Sequence, residues 1–450
     1  MEELTVQIEK LSNMGLGIAK VDGFVIFVPN TCPKDVVKIK IIKRNKNFAN
    51  AELVEILEPS PDRTESFCKM QKVCGSCQLQ FIDYKAQLKY KKEIVEDTMH
   101  SIYGSEVEIK DVIPSPQIKE YRHKIQYPIG QTRDSKRILA GYYKYGTHEL
   151  VNIKYCPIQP QYCDKIIDFI RLKAQELNIQ GYDEKSGKGE LRHVVIRTSN
   201  KNKSSLVVLV VNSSKISSKI KKLAECIISE LENINGIQVN FNTRKTNLIL
   251  GERTLTVIGK DYIEEDLCDK TFKIGAKTFF QVNPLSADNI FRYIKSYIAE
   301  NFNNPIILDA YSGITAFGIC MSDIASKIVS IEEVKESVEL AKTIIKENGI
   351  NNIELHQGDA GKFLSEQSSL ERQFHITILD PPRKGCSINS LDYALKLTKE
   401  KIIYVSCNPA TLARDLKYLK EQGAKVEYIQ PFDMFPHTYH IENVAIINLN

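Results

Sequence analysis

Apolar residues divide the chain into three regions with different periodicities. Up to about residue 57 they form short alternating runs separated by glycine turns, for example Val36-Val37-Lys38-Ile39-Lys40-Ile41-Ile42. Runs of this kind predict strands without helices, and many short strands favour a small barrel. Because Lys38 and Lys40 alternate with apolar neighbours, we expect both side chains on the outer face of that barrel.

The middle of the chain mixes strand and helix periodicities. Apolar positions recur at helical spacing over residues 84–99. We expect this helix to extend to residue 102 and to pack on the C-terminal domain. Between residues 106 and 270, strands such as 206–211 and helices such as 216–232 follow without a regular order. The middle region is therefore predicted to be α+β.

From about residue 284, strand and helix patterns alternate regularly. The predicted strands are 306–309, 327–331, 353–356, 375–379, 402–405, 424–429 and 443–449, and the predicted helices are 314–324, 334–348, 388–398 and 409–422. Such alternation predicts a mostly parallel, doubly wound α/β sheet. We therefore expect a multi-domain protein with a β-barrel over 1–60, an α+β domain over 61–270 and a Rossmann-like domain over 271–450.

Composition and charge narrow the class of protein. No apolar run approaches the roughly 18 residues that a membrane span needs, and the first residues lack a signal-peptide core. We expect a cytoplasmic protein without a disulfide framework, because that compartment is reducing. The net charge of +5 is modest, but cations cluster over residues 34–46 and 119–144. Clustered cations suit a polyphosphate backbone, although a solvated lysine-rich face explains them equally well.

Two predicted strands of the C-terminal region end in reactive side chains. Residues 402–405 run into Ser406-Cys407-Asn408-Pro409, and residues 376–379 run into Asp380-Pro381-Pro382-Arg383-Lys384-Gly385. In open α/β sheets, ligands bind beyond the carboxyl ends of the strands. Cys407 is therefore interpreted as an exposed nucleophile, and Asp380 as its neighbour in an active site.

Four cysteines have the spacing of a sulfur-ligated metal site. Cys68, Cys74 and Cys77 lie close together, and Cys156 follows 79 residues after Cys77. Spacing alone leaves zinc and an iron–sulfur cluster both open and slightly favours the cluster. Cys163 competes as the fourth ligand, but Cys156 is preferred because Pro157 follows it and Cys163 lies in a helical pattern.

A glycine turn after the first strand of the alternating region predicts a cofactor pocket. Asp309-Ala310-Tyr311-Ser312-Gly313 allows close approach of the backbone to a ligand. Glu332 ends the next strand, where an acid can accept hydrogen bonds from ribose hydroxyls, and Asp359 follows the strand after it. No Gly-x-Gly-x-x-Gly pattern is present, which argues against a dinucleotide.

Five motifs in a fixed order, together with the cysteines, resemble the RNA (uracil-5-)-methyltransferases that use S-adenosylmethionine. The motifs are Phe279-Phe280-Gln281-Val282-Asn283, Asp309 to Gly313, Asp380 to Gly385, Val405-Ser406-Cys407-Asn408-Pro409 and His440-Ile441-Glu442-Asn443. The N-terminal β region resembles a TRAM domain, an RNA-binding barrel. A TRAM domain combined with the cysteines resembles the branch acting on 23S ribosomal RNA, since the tRNA branch usually lacks both.

The resemblance implies a role for each matched position. Cys407 is the nucleophile that adds to carbon 6 of uracil, Glu442 is the general base, and Asp380 contacts the uracil edge. The implied S-adenosylmethionine and substrate pocket consists of Gln281, Tyr311, Gly313, Glu332, Asp359 and Asp380. The implied [4Fe-4S] ligands are Cys68, Cys74, Cys77 and Cys156. We expect Phe279 to stack on RNA, with Lys38, Lys40, Arg122 and Lys124 as RNA-binding cations, in a monomer whose partner is ribosomal RNA.

One motif departs from the family. Members usually have Cys-Gly-x-Gly followed by Asn or Thr, whereas this chain has Ser312-Gly313-Ile314-Thr315-Ala316. Because threonine resists a positive φ, we expect a reshaped turn and weakened cofactor affinity.

Three other functions stay open at this point. A tRNA T-loop uracil-5 methyltransferase would have the same catalytic centre. A cytosine-5 RNA methyltransferase is disfavoured, because those enzymes place proline before the nucleophile and Cys407 follows a serine. A non-catalytic RNA-binding iron–sulfur protein is supported only by the altered turn, and binding of S-adenosylmethionine would argue against it.

Overall fold

A small barrel forms the N-terminal part of the protein. In a computed structural model, which describes residues 3–369 and 372–449, six strands make one sheet in the order β1-β5-β6-β4-β3-β2. They are β1 (Glu3–Gln7), β2 (Lys10–Leu11), β3 (Gly17–Val21), β4 (Phe24–Val28), β5 (Val36–Arg44) and β6 (Phe48–Glu58). Strands β1 and β2 lie at opposite edges of the sheet, yet only two residues separate them in the chain. The two edges are therefore close together, and the sheet curves around a core that includes Ile26 and Ile39.

The first long helix packs on the C-terminal sheet. Helix α1 (Tyr84–Thr98) continues into a π-helical turn (Met99–Tyr103) and is followed by β7 (Glu108–Ile109). Val95, Met99 and Tyr103 join the apolar core beneath the C-terminal strands, and β7 pairs in parallel with the outermost of them. The chain therefore reaches the C-terminal sheet before it builds the middle one.

The middle region is a seven-stranded sheet covered by two helices. Its elements are β8 (Lys124–Gln131), β9 (Ile138–Tyr143), β10 (Leu150–Asn152), α2 (Gln161–Glu176), β11 (Leu191–Thr198), β12 (Ser205–Val211), α3 (Ser218–Glu230), β13 (Ile234–Phe241) and β14 (Arg253–Gly259). The order is β10-β9-β8-β11-β12-β13-β14, with only β12 and β13 parallel to each other among these neighbours. A hairpin of β15 (Tyr262–Leu267) and β16 (Lys270–Gly275) leads to the last region.

The C-terminal region is a doubly wound sheet, as the alternation predicts. It contains α4 (Pro284–Asn301), β17 (Ile306–Ala310), α5 (Ala316–Met321), β18 (Lys327–Glu332), α6 (Lys335–Glu347), β19 (Ile353–Gln357), α7 (Ala360–Ser369), β20 (Phe374–Leu379), α8 (Ile388–Leu397), β21 (Thr398–Ser406), α9 (Pro409–Glu421), β22 (Lys425–Phe432) and β23 (Glu442–Asn448). The order is β19-β18-β17-β20-β21-β23-β22-β7, and β23 runs antiparallel to its neighbours.

Three helices of the C-terminal region differ from the sequence prediction, which did not include α4. Helix α7 was not predicted, and it begins after Asp359, whose carboxylate accepts a hydrogen bond from the Lys362 amide at 2.9 Å. Helix α5 is shorter than the predicted 314–324, because its first turn cannot include Thr315, which has a left-handed backbone. No helix within residues 3–369 and 372–449 is long and apolar enough to cross a membrane.

Candidate active site

The thiol and the two carboxylates predicted to be catalytic lie at one edge of the C-terminal sheet. Cys407 follows β21, Asp380 follows the parallel neighbour β20, and Glu442 opens the antiparallel neighbour β23. Ser406 pairs with Asn443, so the next residue on one strand, Cys407, lies across from the preceding residue on the other, Glu442. The strand register thus brings all three together.

Burial controls the protonation of this group. Burial raises the pKa of Glu442 to about 8, with a further rise from the nearby Asp380 carboxylate. Burial alone raises the pKa of Asp380 to about 7. Burial also raises the pKa of the Cys407 thiol to about 11, and the Glu442 carboxylate adds to that rise. Without a compensating cation the site therefore favours neutral groups.

Arg383 supplies that cation, although it was absent from the predicted site residues. Its guanidinium lies within hydrogen-bond reach of the Cys407 thiol and opposes the rise in the pKa of both Cys407 and Glu442. The Arg383 carbonyl accepts hydrogen bonds from Asn408 Nδ2 at 3.2 Å and from Thr411 Oγ1 at 3.3 Å. A guanidinium beside a thiol stabilises the thiolate, which is the nucleophilic form. The signal in the sequence is a cation three residues after Asp380.

Hydrogen bonds from side chains of helix α9 hold the loop that carries Arg383 in place. Asp415 accepts hydrogen bonds from the Tyr404 hydroxyl at 2.6 Å and from the Cys386 amide at 2.9 Å. Arg414 donates to the Lys384 carbonyl at 2.9 Å. These bonds hold residues 381–386 against the strand that ends at the thiol.

The predicted cofactor residues converge at the carboxyl ends of β17, β18 and β19. Glu332 accepts hydrogen bonds from the Gly313 amide and from the Val334 amide, both at 2.8 Å. Tyr311 is half-buried, and its hydroxyl lies within hydrogen-bond reach of Ser390 and of Cys386 in the loop after β20, with the Asp359 carboxylate nearby. The turn, the acid at the end of β18 and the acid before α7 therefore lie together beyond the carboxyl ends of the strands, where open α/β sheets bind nucleosides.

Thr315 occupies the left-handed region rather than reshaping the turn. Its φ is 60° and its ψ is 39°, and its side chain is fully buried. The expectation of a reshaped turn was wrong at this residue: the threonine adopts the backbone conformation that a glycine would take. A β-branched residue in this conformation is strained.

Asp309 is a second residue that the predicted site omitted. It is fully buried beneath the turn, and Oδ2 accepts a hydrogen bond from the Gly318 amide at 3.1 Å. Burial raises the pKa of Asp309 to about 7, and Oδ1 has no hydrogen-bond partner among the described residues. Its signal in the sequence is an acid at the end of an apolar strand.

The loop from Phe279 to Asn283 borders the same edge. Phe279 is 67% exposed, and Gln281 is half-buried. The buried Asn283 amide donates to the Met434 carbonyl at 3.0 Å and to the Ser115 hydroxyl at 3.0 Å, while its oxygen caps α4. The loop is therefore fixed at one end and offers an aromatic ring to solvent at the other.

The four predicted RNA-binding cations have different surroundings. Lys38 and Lys40 lie on the outer face of β5, as the alternation predicts, and Lys38 pairs with Glu3 at 2.7 Å. Lys124 is opposite Arg197 in the β8–β11 ladder, and burial together with Arg197 and Arg122 lowers its pKa to about 7. Arg122 faces Tyr142 and Cys156.

The four predicted metal-ligand cysteines line one small cavity. Cys68, Cys74, Cys77 and Cys156 share its wall with the amide side chains of Gln71 and Gln80. Cys163 lies in α2, buried and outside that wall. Across the part of the chain that the structure describes, no group of three or more His, Cys, Asp or Glu side chains has an arrangement that could hold a metal ion.

Comparison with known proteins assigns the fold and the chemistry. Residues 83–449 match the tRNA (Uracil-5-)-methyltransferase family, and residues 1–54 match the TRAM domain. An uncharacterized RNA methyltransferase of Clostridium acetobutylicum is 38% identical over 445 residues, which are 98% of this chain and 96% of that protein. Another, from Oceanobacillus iheyensis, is 34% identical over 450 residues, with 100% and 97% covered.

A solved structure extends the similarity to three dimensions. The chain is similar to the crystal structure of Pyrococcus abyssi tRNA (uracil-54, C5)-methyltransferase in complex with S-adenosyl-L-homocysteine. The TM-score is 0.78 and the identity 26%, covering 99% of this chain and 100% of that one. The predicted TRAM domain and methyltransferase fold are confirmed. This chain belongs to the tRNA (uracil-5-)-methyltransferase family and is an S-adenosylmethionine-dependent RNA uracil-5-methyltransferase.

Proposed function

We propose that this enzyme methylates its target uridine through a covalent bond between Cys407 and carbon 6 of uracil. The observation that carries the proposal is the convergence of Cys407, Glu442, Asp380 and Arg383 at the carboxyl edge of the sheet. The crevice formed by Tyr311, Gly313, Glu332 and Asp359 opens at the same edge.

Each side chain has a chemical task in this scheme. S-adenosylmethionine, when bound in the crevice, supplies an electrophilic methyl group. The Cys407 thiolate adds to carbon 6, so that carbon 5 becomes electron-rich enough to take that methyl. Glu442 then removes the carbon 5 proton, the carbon–sulfur bond breaks, and the thiolate leaves. Burial raises the pKa of Asp380 to about 7, so that its protonated form, which can donate a hydrogen bond to a uracil oxygen, is populated near neutral pH.

Two substitutions test the scheme. Cys407→Ala is expected to abolish methyl transfer and covalent capture of RNA, because no other group can add to carbon 6. Glu442→Gln is expected to accumulate a denaturation-resistant protein–RNA adduct, because proton removal precedes elimination. Cys226→Ala, which changes a thiol on α3, is the matched control and should keep wild-type turnover. Wild-type methylation by the Cys407 variant would refute the scheme.

We propose 23S ribosomal RNA as the substrate, with the T-loop of tRNA as the alternative. The combination of a TRAM barrel with the four-cysteine set supports ribosomal RNA, whereas the similar Pyrococcus abyssi enzyme is a tRNA methyltransferase. Mass spectrometry of both RNAs from a deletion strain decides between them. Loss of a 5-methyluridine from 23S RNA alone supports the first substrate, and loss from tRNA alone supports the second.

We propose further that Cys68, Cys74, Cys77 and Cys156 bind a [4Fe-4S] cluster. Four cysteine thiolates are the ligand set of such a cluster, and these four cysteines line one cavity. The Nε2 atoms of Gln71 and Gln80 are buried without a partner among the described residues, and Arg122 faces the thiols. These donors fit an anionic group in the cavity.

The two cysteines that competed for the fourth ligand position provide the test. Protein purified without oxygen is expected to contain about four iron atoms per chain. Cys156→Ser should lose most of the iron and the visible absorbance of the cluster, whereas Cys163→Ser should keep both. Equal iron contents in the two variants would contradict the assignment.

A further inference from the structure

A large open cleft lies in the middle region, apart from the cofactor crevice. Its volume is about 610 Å³, within the range of roughly 300–1,000 Å³ that small-molecule sites occupy. Three chain segments form it: residues 117–123, the start of α2 at residues 160–162, and the β11–β12 turn at residues 200–203. We call it the flanking cleft.

The side chains of the flanking cleft suit an anionic, aromatic ligand. Lys119 and Lys203 are both exposed, and neither is paired with a carboxylate within the described ranges; the Lys119 ammonium lies 4.4 Å from the centroid of the Phe67 ring. Lys203 Nζ donates to Asn200 Oδ1 at 3.1 Å. The residues that line the cleft include two lysines and one acid, Glu120, so their net charge is positive. Tyr162 contributes an aromatic face. Lysines bind phosphate, and a tyrosine can stack on any base.

Backbone bonds connect the flanking cleft to the substrate loop. The amide of His123, which lines the cleft, donates to the Val282 carbonyl at 2.7 Å. Val282 lies three residues after the exposed Phe279 and next to Gln281. Arg197, in the strand just before the β11–β12 turn, donates to the Thr278 carbonyl. These hydrogen bonds hold the flanking cleft and the loop that carries Phe279 together.

We propose that the flanking cleft binds a nucleotide next to the target uridine in the substrate RNA. Lys119 and Lys203 would contact its phosphates, and Tyr162 would stack on its base. The proposal rests on the proposed function, since it requires the target uridine to lie at Cys407. A uridine that leaves its stack exposes its neighbours, and a site for one of them holds the RNA strand open beside the thiol.

The test is RNA binding by the double variant Lys119→Ala/Lys203→Ala. Each phosphate contact on single-stranded RNA contributes a slope of about 0.7 in log K against log salt, so losing two should reduce the slope by about 1.4. If the wild type and the variant bind RNA equally at about 1 M salt, this difference in slope makes the Kd of the variant roughly tenfold higher at physiological salt. The kcat at saturating RNA should stay within about twofold, because the thiol and carboxylates are unchanged.

Controls separate the two proposals. Lys221→Ala/Lys222→Ala removes two exposed lysines on α3 of the same region and should leave the slope unchanged. If wild-type protein methylates the RNA but the cleft variant keeps its Kd and slope, the cleft proposal is wrong and the proposed function stands. If wild-type protein forms no covalent adduct with RNA through Cys407, the proposed function fails whatever the slope shows.

A cross-linking experiment locates the nucleotide directly. RNA with 4-thiouridine on either side of the target is bound to Cys407→Ala protein and irradiated. Cross-links to peptides containing Tyr162 or His123 support the site. Cross-links confined to the barrel or the methyltransferase domain, with none in the cleft, would overturn it.

Discussion

At the residue scale, the candidate active site combines a thiol with two carboxylates whose pKa values are raised by burial. The pKa of Glu442 is raised to about 8 and that of Cys407 to about 11, and in the proposed scheme both groups lose a proton before they act. Arg383 is the nearby cation that makes those losses easier.

The kcat/KM for RNA is therefore expected to increase from about pH 6 to about pH 9. The pKa of Glu442 is about 8, so below about pH 8 the carboxyl is mostly protonated and cannot serve as the base. Activity therefore falls as the pH falls through that value. Arg383→Gln should move the rise to higher pH, because both pKa values lose a stabilising cation. Lys384→Gln, the exposed neighbour, is the control, and a flat profile for the wild type would contradict the account.

Thr315 yields a second prediction at this scale. Thr315→Gly and Thr315→Ala both remove the hydroxyl and methyl groups, but only glycine adopts a φ of 60° without steric strain. Thr315→Gly should therefore be more stable than Thr315→Ala by about 1 kcal/mol, the reverse of the usual order in a helix. Denaturant unfolding measures the difference, and an equal or lower stability of the glycine variant would show that the turn is unstrained.

At the element scale, a buried ion pair joins α1 to the segment before Glu442, the proposed base. Lys91 Nζ donates to Asp433 Oδ1 at 2.6 Å and to the Phe435 carbonyl at 3.1 Å, and both ionic side chains are fully buried. The Tyr84 hydroxyl donates to the other carboxylate oxygen at 2.8 Å. The segment from Asp433 leads to Glu442, so α1 helps to position the proposed base.

Lys91→Met is expected to destabilise the protein by about 3–5 kcal/mol, because it leaves a buried carboxylate without its cation. The double variant Lys91→Met/Asp433→Leu should recover much of that loss, since it removes both buried charges. Lys89→Met, which breaks the exposed pair with Glu93 at 3.7 Å, should change stability by less than about 0.5 kcal/mol. Thermal unfolding compares the three, and similar losses for Lys89 and Lys91 would refute the ranking.

At the scale of the whole molecule, three regions meet around residues 437–440. The Leu79 amide donates to the His437 carbonyl at 2.9 Å, and His437 also contacts Gln87 and the Ile118 carbonyl. The barrel reaches the same segment through Gly15, where an added Cβ would come within 3.0 Å of the Tyr439 Cβ. The RNA-binding barrel therefore touches the chain a few residues before the active-site strand.

Two glycines of the barrel test this contact. Gly15→Ala and Gly23→Ala both place alanine at a positive φ, 71° and 80°, and should each lose about 1 kcal/mol of stability. Only Gly15→Ala also presses on Tyr439, since nothing lies within 4 Å of the Gly23 position. We expect Gly15→Ala alone to lower kcat, by severalfold, in methylation assays at saturating RNA. Equal kcat values would mean that the contact does not reach the active site.

The sequence alone determined the alternating strands of the C-terminal sheet and the identity of the reactive strand ends. Periodicity is local, so β21 and β20 could be recognised from a few residues, and parallel strands necessarily bring their carboxyl ends to one edge. For that reason the sequence pattern by itself places Cys407 beside Asp380. The family motifs added Glu442, whose position on an antiparallel strand has no such local rule.

Only the tertiary structure decided which distant groups act on that edge. Arg383 beside Cys407, Lys91 against Asp433, and the three segments of the flanking cleft depend on contacts between residues far apart in the chain. Burial, which sets the pKa of Glu442 and of Asp309, is likewise a property of the packed molecule. Such long-range contacts cannot be predicted from the periodicity of the sequence, because each depends on how whole elements pack and not on neighbouring residues.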